Sequence, residues 1–298
     1  MRRLALLAFI WGWSFLFIKV AVGGMTPTTV AAVRILLGAL VLLAVCRVRR
    51  LQLPRDLTTW RHFFVTALFG SAVPFTLLAW GEERITSALT SVLNASTPLF
   101  TALAGAFLLR ERLTPPQFVG LALGFVGVAV AAGVGGEDLA DSSVPGALAA
   151  VAAGACYGLG FAYVKRNLMG LTAEVAATGQ LVAGTILLAP FALATSATEG
   201  VDLTARRLLA IVLLGAVGTG LAYVIYYRLI ADVGPTKASL VTYLVPVVAV
   251  AVGVVFLDEP FAFRLVVGGV LIVAGIGLVN ARARSWRGKA VPVGAGLP

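Results

Sequence analysis

Residues 86–128 read TSALTSVLNASTPLFTALAGAFLLRERLTPPQFVGLALGFVGV, and residues 235–277 read PTKASLVTYLVPVVAVAVGVVFLDEPFAFRLVVGGVLIVAGIG. In the first stretch Pro98 and Glu111 are thirteen residues apart, and in the second Pro246 and Glu259 have the same separation. The offset of 148 that aligns them also aligns two pairs of glycines, Gly120 and Gly127 with Gly268 and Gly275. Shared spacing at one offset indicates an internal repeat.

A second match, near the N-terminus, extends the repeat. Residues 11–19, WGWSFLFIK, align with residues 157–165, YGLGFAYVK, at an offset of 146, which places Arg34 on Gln180. Each copy holds five apolar runs, an odd number, so the second copy enters the membrane in the opposite sense. We therefore expect two inverted five-helix repeats, 1–136 and 137–281, and a disordered basic cytoplasmic tail, 282–298.

The composition excludes an ordinary soluble domain. Of 298 residues, 60% are hydrophobic and only 12% are charged, whereas soluble domains carry about 25% charged residues. A membrane-spanning helix needs about 20 apolar residues. The sequence predicts an all-α integral membrane protein with ten transmembrane helices, in the runs 4–22, 29–46, 63–81, 86–109, 115–133, 144–164, 174–193, 207–229, 236–257 and 262–280.

The charge distribution predicts the topology. With the N-terminus inside, sixteen Lys and Arg side chains fall on the cytoplasmic side and four on the other, as the positive-inside rule requires. We expect a multi-pass plasma-membrane protein with both termini cytoplasmic. The net charge of +10 then reflects topology, and no nucleic-acid partner is expected. The expected partners are the lipid bilayer and a small-molecule substrate, and a homodimer is compatible with the sequence.

Metal and nucleotide chemistry lack the necessary residues. Cys46 and Cys156 lie in apolar runs without CxxC spacing, and His62 is the sole histidine. We expect no metal and no cofactor. No Walker A sequence occurs, so the sequence gives no sign that nucleotide hydrolysis supplies energy.

Several short motifs carry a family resemblance. The opening WG-x-x-F-x-x-x-K, the arginine of the second helix, the stretch LRERLTPPQFVG and its echo FLDEPF resemble the EamA-type branch of the drug/metabolite transporter superfamily. The resemblance covers residues 4–280. It implies two inverted five-helix bundles, alternating access, and a central cavity lined by helices 1 to 4 and 6 to 9. Family members mostly move small metabolites, with amino-acid export the commonest assignment.

The first two predicted helices each contain one cation, Lys19 near the outer end of the first and Arg34 about five residues into the second. A buried cation is costly unless it is paired or hydrated. Each is interpreted as part of a cationic wall that meets a substrate carboxylate or closes an outer gate, or alternatively as a side chain that snorkels to the interface. Gln180 is the repeat-related partner of Arg34.

Aromatic, amide and proline residues complete the candidate site. The aromatic candidates for a substrate pocket are Trp11, Phe15, Trp80, Tyr157, Tyr223, Tyr226 and Tyr243, which alternatively belong to interfacial belts or to the core. Asn94, in a polar stripe with Ser87, Thr90, Ser91 and Thr97, is expected to face the cavity. Pro98 and Pro246 are expected to kink their helices near the midplane and act in gating, with ordinary kinked packing as the alternative.

Acidic residues are absent from the middle of every predicted span, which disfavours a pump for cationic drugs and a carboxylate proton relay. Glu111 and Glu259 are interpreted as loop anchors. The favoured function is a secondary transporter that exports amino acids or related carboxylates. The alternatives are a carrier of lipid-linked or nucleotide sugars and, with least support, a membrane-embedded enzyme, since no intramembrane acid–base cluster is visible.

Overall fold

The computed structural model describes residues 2–108, 113–133, 143–168, 170–233 and 241–281. These residues form helices and connecting loops, and they contain no strand. The first part of the chain contributes α1 (Arg2–Val22), α2 (Pro27–Val48), α3 (Leu57–Ala67), α4 (Val73–Glu82), α5 (Ser87–Asn94), α6 (Thr97–Leu108) and α7 (Pro115–Ala132). The second part contributes α8 (Ser143–Asn167), α9 (Ala173–Glu199), α10 (Ala205–Val212), α11 (Ala222–Val233), α12 (Val241–Leu257) and α13 (Phe263–Ala281).

Two joints between these helices are π-helical. The segment π1 (Leu68–Ala72) joins α3 to α4, and π2 (Leu213–Leu221) joins α10 to α11. Both segments are rich in small residues, as FGSA in π1 and GAVGTG in π2 show. Neither was predicted, because apolar periodicity does not distinguish a π-helix from an α-helix.

Eight helical stretches of the described chain are long and apolar enough to cross a membrane. They correspond to the first eight predicted runs. The last two runs contain shorter apolar helices, Leu244–Leu257 and Phe263–Val279, and residues 234–240 lie outside the described part. The protein is therefore a helical multi-pass membrane protein, and the count of ten helices stays a prediction.

Side-chain caps fix where several helices begin. Before α2, the Thr26 hydroxyl accepts a hydrogen bond from the Thr29 backbone N–H (3.2 Å), and Pro27 occupies the first turn. Backbone N–H groups of a first turn have no partner within the helix, so proline, which has no N–H, fits there. Before α3, the Asp56 carboxylate accepts the Thr59 N–H at 2.7 Å. That hydrogen bond lowers the pKa of Asp56, because it stabilises the charged form.

Helices of the first part of the chain pack in pairs with helices of the second part: α7 with α13, α2 with α9, α1 with α12, and α6 with α8. The α7–α13 pair is the closest, because glycines let the backbones touch. A Cβ added to Gly275 would lie 2.5 Å from the carbonyl oxygen of Gly120. The glycines that the sequence offset aligns thus lie where these two helices touch.

The two prolines occupy different positions. Pro98 lies in the first turn of α6, after a break at Ala95 and Ser96, so the expected kink is instead a gap between two helices. Pro246 lies inside α12, as expected. Glu111, the boundary at 136/137, the side chains of Lys165 and Tyr243, and the tail 282–298 lie outside the described residues.

Candidate functional site

Arg34 is the central residue of the site. Because α2 begins at Pro27, earlier than the predicted run, Arg34 lies seven residues into the helix, about 10 Å from its start, rather than five. Its side chain is only 6% exposed. The Nε atom donates a hydrogen bond to Oγ1 of Thr219 (2.8 Å), and the guanidinium carbon lies 3.7 Å from the ring centroid of Phe75.

Aromatic side chains surround this guanidinium. Tyr157 meets Phe75 edge-on, with ring centroids 6.3 Å apart, and Tyr223 packs against the same buried cluster. Both tyrosines lie within electrostatic range of Arg34. No carboxylate of the described chain lies within ion-pair distance of Arg34. The guanidinium is therefore held directly by a hydroxyl and a ring face, and no carboxylate of the described residues contacts it.

Gln180 occupies a comparable place on α9. It is 5% exposed, and its amide faces π1, where a Cβ added to Gly70 would lie 2.8 Å from Nε2. Its neighbour Leu181 packs in the cluster that contains Phe75. Each of the two polar residues thus faces a π-helical segment, Arg34 facing π2 and Gln180 facing π1.

The geometry of π2 explains how Thr219 serves Arg34. In a π-helix the backbone bonds span five residues, and such turns are frequent at functional sites. The Thr219 hydroxyl donates to the carbonyl oxygen of Leu214, five residues back (3.1 Å), and accepts from Arg34. Sequence reasoning missed Phe75 and Thr219. The visible signal for Thr219 was a hydroxyl set between two glycines, GTG, in an apolar run.

A model of the EamA-like transporter family matches residues 4–133 and 144–281. The chain belongs to the EamA-like transporter family. A Bacillus subtilis protein named "Uncharacterized transporter YvbV" is 27% identical over 97% of this chain and 94% of its own. A Salmonella typhimurium protein named "Probable amino-acid metabolite efflux pump" is 30% identical over 91% of each chain. These names are those of transporters rather than enzymes.

Two further relatives extend the comparison of this EamA-like transporter. A Streptantibioticus cattleyicolor protein named "Probable terminal-alkyne amino-acid exporter" is 33% identical over 72% of this chain and 71% of its own. A crystal structure matches with a TM-score of 0.66 at 24% identity, covering 95% of this chain and 97% of the other. The second match concerns the fold alone.

Three predicted aromatics of this EamA-like transporter lie in another cluster. Trp11 contacts Tyr226, with ring centroids 5.2 Å apart, and Phe15 packs with them between α1 and α12. Tyr223 and Tyr226, both on α11, pack against different clusters. Their spacing of three residues turns the helix by about 300°, which leaves the side chains some 60° apart, enough to reach different neighbours.

The other predicted residues of the EamA-like transporter also lie apart from Arg34. Lys19 donates from Nζ to the backbone carbonyl oxygens of Glu82 and Ile85, so it joins α1 to the end of α4. Trp80 lies under the guanidinium of Arg84, 3.6 Å from its carbon. Asn94 ends α5, and its buried Oδ1 has no hydrogen-bond partner among the described residues. The structure gathers Arg34, Tyr157 and Tyr223.

Proposed function

We propose that this chain is a secondary transporter that exports amino acids or related carboxylates by alternating access. The support is the family match together with relatives whose names include an amino-acid metabolite efflux pump and an amino-acid exporter. The proposal includes two inverted five-helix repeats, 1–136 and 137–281, in the plasma membrane with both termini cytoplasmic. The family match in two segments, 4–133 and 144–281, is consistent with such repeats.

The observation that carries the proposal is the buried charge of Arg34. A guanidinium away from water needs an anion or several acceptors, and here one hydroxyl and one ring face hold it. Its planar fork matches a carboxylate in a bidentate geometry. A substrate carboxylate would supply the direct anionic contact that the described residues do not make with Arg34, so we assign Arg34 as the carboxylate anchor.

The other candidate residues are assigned roles from the contacts they make and the cluster in which they lie. Tyr157, Tyr223 and Gln180 are proposed to line the substrate site around it. Trp11, Phe15 and Tyr226 are proposed as its wall on the α1 side, and Trp80, Asn94 and Tyr243 stay candidates. The contacts of Lys19 with two carbonyl groups favour its role in an outer gate over a direct contact with substrate. Pro98 and Pro246 are proposed to position the moving helices.

The test is counterflow in proteoliposomes with a carboxylate substrate and its amide. Arg34→Gln should weaken binding of the carboxylate by about 1–3 kcal/mol, the scale of a lost charge-assisted hydrogen bond, and should affect the amide less. Arg49→Gln is the matched control, because Arg49 lies at the other end of α2 and pairs with Glu174 away from the proposed site. Equal losses for the two compounds would reject Arg34 as the anchor.

Topology is tested separately by cysteine accessibility in a background without Cys46 and Cys156. Single cysteines at Arg50 and Gly200 should label from opposite sides, since the two positions follow α2 and α9, whose orientations differ in the inverted model. Labelling of both positions from one side would overturn the inverted arrangement. Transport by the background protein must be retained for the result to apply.

A further inference from the structure

Glu82 is a fully buried carboxylate that the sequence placed at the edge of a span. It is the last residue of α4, and its exposed fraction is 0%. The Ser87 hydroxyl donates to Oε2 at 3.2 Å. The other oxygen, Oε1, is buried and has no hydrogen-bond partner in the described part of the chain. An ionised carboxylate in this position is poorly solvated.

The groups around Glu82 come from several elements. Lys19 of α1, Arg34 of α2 and Glu259 of the segment before α13 interact with it electrostatically. Helix α8 presents Gly146 and Ala149 to this end of α4, and α5 contains no titratable side chain. The local charge is therefore set by two cations and two carboxylates.

The two carboxylates differ in how they are held. Glu259 accepts the backbone N–H groups of Ser87 and Ala88, at 2.7 Å and 3.0 Å. Both of its oxygens thus bind the N-terminus of α5, where the helix dipole stabilises a negative charge. This agrees with the interpretation of Glu259 as a loop anchor. Glu82 accepts only the longer hydrogen bond from the Ser87 hydroxyl among the described residues. Its ionised form is therefore less stabilised than that of Glu259, and Glu82 is the carboxylate that takes up a proton more easily.

Lys19 strengthens this difference. Its ammonium is bound to the carbonyl oxygens of Glu82 and Ile85, and it does not lie within ion-pair distance of either carboxylate among the described residues. The cation therefore balances the charge of the cluster without occupying the Glu82 oxygens. Oε1 remains available to a proton.

A polar cavity lies at the same end of α1 and α4. A cavity of about 420 Å³ is lined by Val22, at the end of α1, by Glu83, which follows Glu82, and by the loop residues 23–26 and 199–202. Polar and charged groups line it. Glu82 is thus the sequence neighbour of a residue that lines a polar opening at the end of the helices.

We propose that Glu82 is a proton-binding site that couples transport to a proton gradient. The proposal rests on the proposed function and names the ion coupled to it. In the cycle a proton from water at the cavity binds a Glu82 oxygen, converting carboxylate to carboxylic acid, and it later returns to water. With both carboxylates ionised, Lys19 and Arg34 balance them. A substrate carboxylate at Arg34 adds one negative charge, and protonation of Glu82 restores the balance. Proton and substrate therefore cross together, and the outward gradient of the substrate drives export.

The first test detects the proton directly. Infrared difference spectra of the whole purified protein between low and high pH should show the C=O band of a buried carboxylic acid. Glu82→Gln should remove this band, Ser87→Ala should shift its titration, and Glu174→Gln, on an exposed pair with Arg49, should leave it unchanged. A band that persists in Glu82→Gln would overturn the proposal. This measurement needs no substrate and therefore does not depend on the proposed function.

The second test uses proteoliposomes and a radiolabelled mixture of protein amino acids. Wild-type protein should accumulate label inside the proteoliposomes when the pH gradient has one direction and not when it has the other. Glu82→Gln should retain counterflow but should accumulate no label under either direction of the gradient. Coupling through Glu82 would be overturned by either of two results. In one, Glu82→Gln accumulates label under a pH gradient; in the other, wild-type protein shows counterflow but accumulates no label under a pH gradient of either direction. Absence of all wild-type counterflow would instead contradict the proposed amino-acid substrate, and the infrared result would then decide on the proton site.

Discussion

Arg34 and Gln180 face π-helical segments in opposite parts of the chain, and their surroundings differ. On the Arg34 side, π2 is tightly held. Thr219 bonds to the guanidinium, and a Cβ added to Gly220 would lie 2.7 Å from Cβ of Val41. On the Gln180 side, a Cβ added to Gly70 would meet only the end of the Gln180 side chain. The charged contact lies on the segment whose glycines pack more closely against α2.

This difference indicates a division of roles. Rigid support keeps a binding group in place, which suits a guanidinium that must meet a carboxylate. The neutral Gln180 amide can leave its contact with Gly70 for another partner with only a small loss of free energy. We therefore expect π2 to fix the substrate anchor and π1 to change shape more easily during the cycle.

The largest effect is expected from Gly220→Ala. The added methyl group meets the branched side chain of Val41, which has little freedom, so we expect a loss of stability of about 1–3 kcal/mol, the usual range for overpacking. Thermal unfolding in detergent measures it. Gly277→Ala is the control, because nothing lies within 4 Å of its added Cβ. If both variants unfold at the same temperature, π2 is not rigidly held.

A smaller effect is expected from Thr219→Val, which keeps the shape but removes the acceptor for Arg34. The loss of one hydrogen bond is about 1 kcal/mol, or roughly fivefold in the affinity for a carboxylate substrate. Thr219→Ser, which retains the hydroxyl, should bind normally. Substrate-dependent stabilisation gives the affinity. An unchanged affinity in Thr219→Val would show that the ring of Phe75 alone orients Arg34.

The sequence predicted the helical membrane fold and made Arg34 a candidate site residue, because both inferences depend on local composition. Charge in an apolar run is conspicuous, and length and hydropathy determine a span. The partners of Arg34 are Thr219, distant in sequence, and Phe75, an apolar residue among many. Local patterns do not contain such tertiary contacts, so the sequence did not identify them.

Glu82 shows a second limit. In the sequence it stands in WGEER, where it resembles Glu83, a loop residue. In the structure Glu83 pairs with Arg84 at 2.8 Å, with its side chain 32% exposed, whereas Glu82 is completely buried. Helix α4 ends one residue later than the predicted run, and one residue turns a helix by about 100°. Whether a residue at a helix end is buried thus depends on its rotational position around the helix axis. Predicted helix boundaries are not accurate enough to give that position.

The smallest effect is expected from Gly70→Ala, on the looser side of the comparison. The added Cβ would lie 2.8 Å from Nε2 of Gln180 and 3.5 Å from its Cδ, and a terminal amide can move away. Alanine also favours an α-helix over glycine by about 1 kcal/mol. We therefore expect near-normal stability and affinity, but a counterflow rate lowered about two- to threefold, equal to roughly 0.5 kcal/mol in the barrier.

A double-mutant cycle identifies the cause of that slower rate. In a Gln180→Ala background the added methyl group of Gly70→Ala meets no amide, so an effect transmitted through this contact should disappear. An effect of the same size in both backgrounds would assign it to the backbone propensity of π1 itself. Either result leaves π1 as a moving part. An unchanged rate in both backgrounds, measured by counterflow at saturating substrate, would instead show that π1 is as static as π2 and that the two sides differ only in charge.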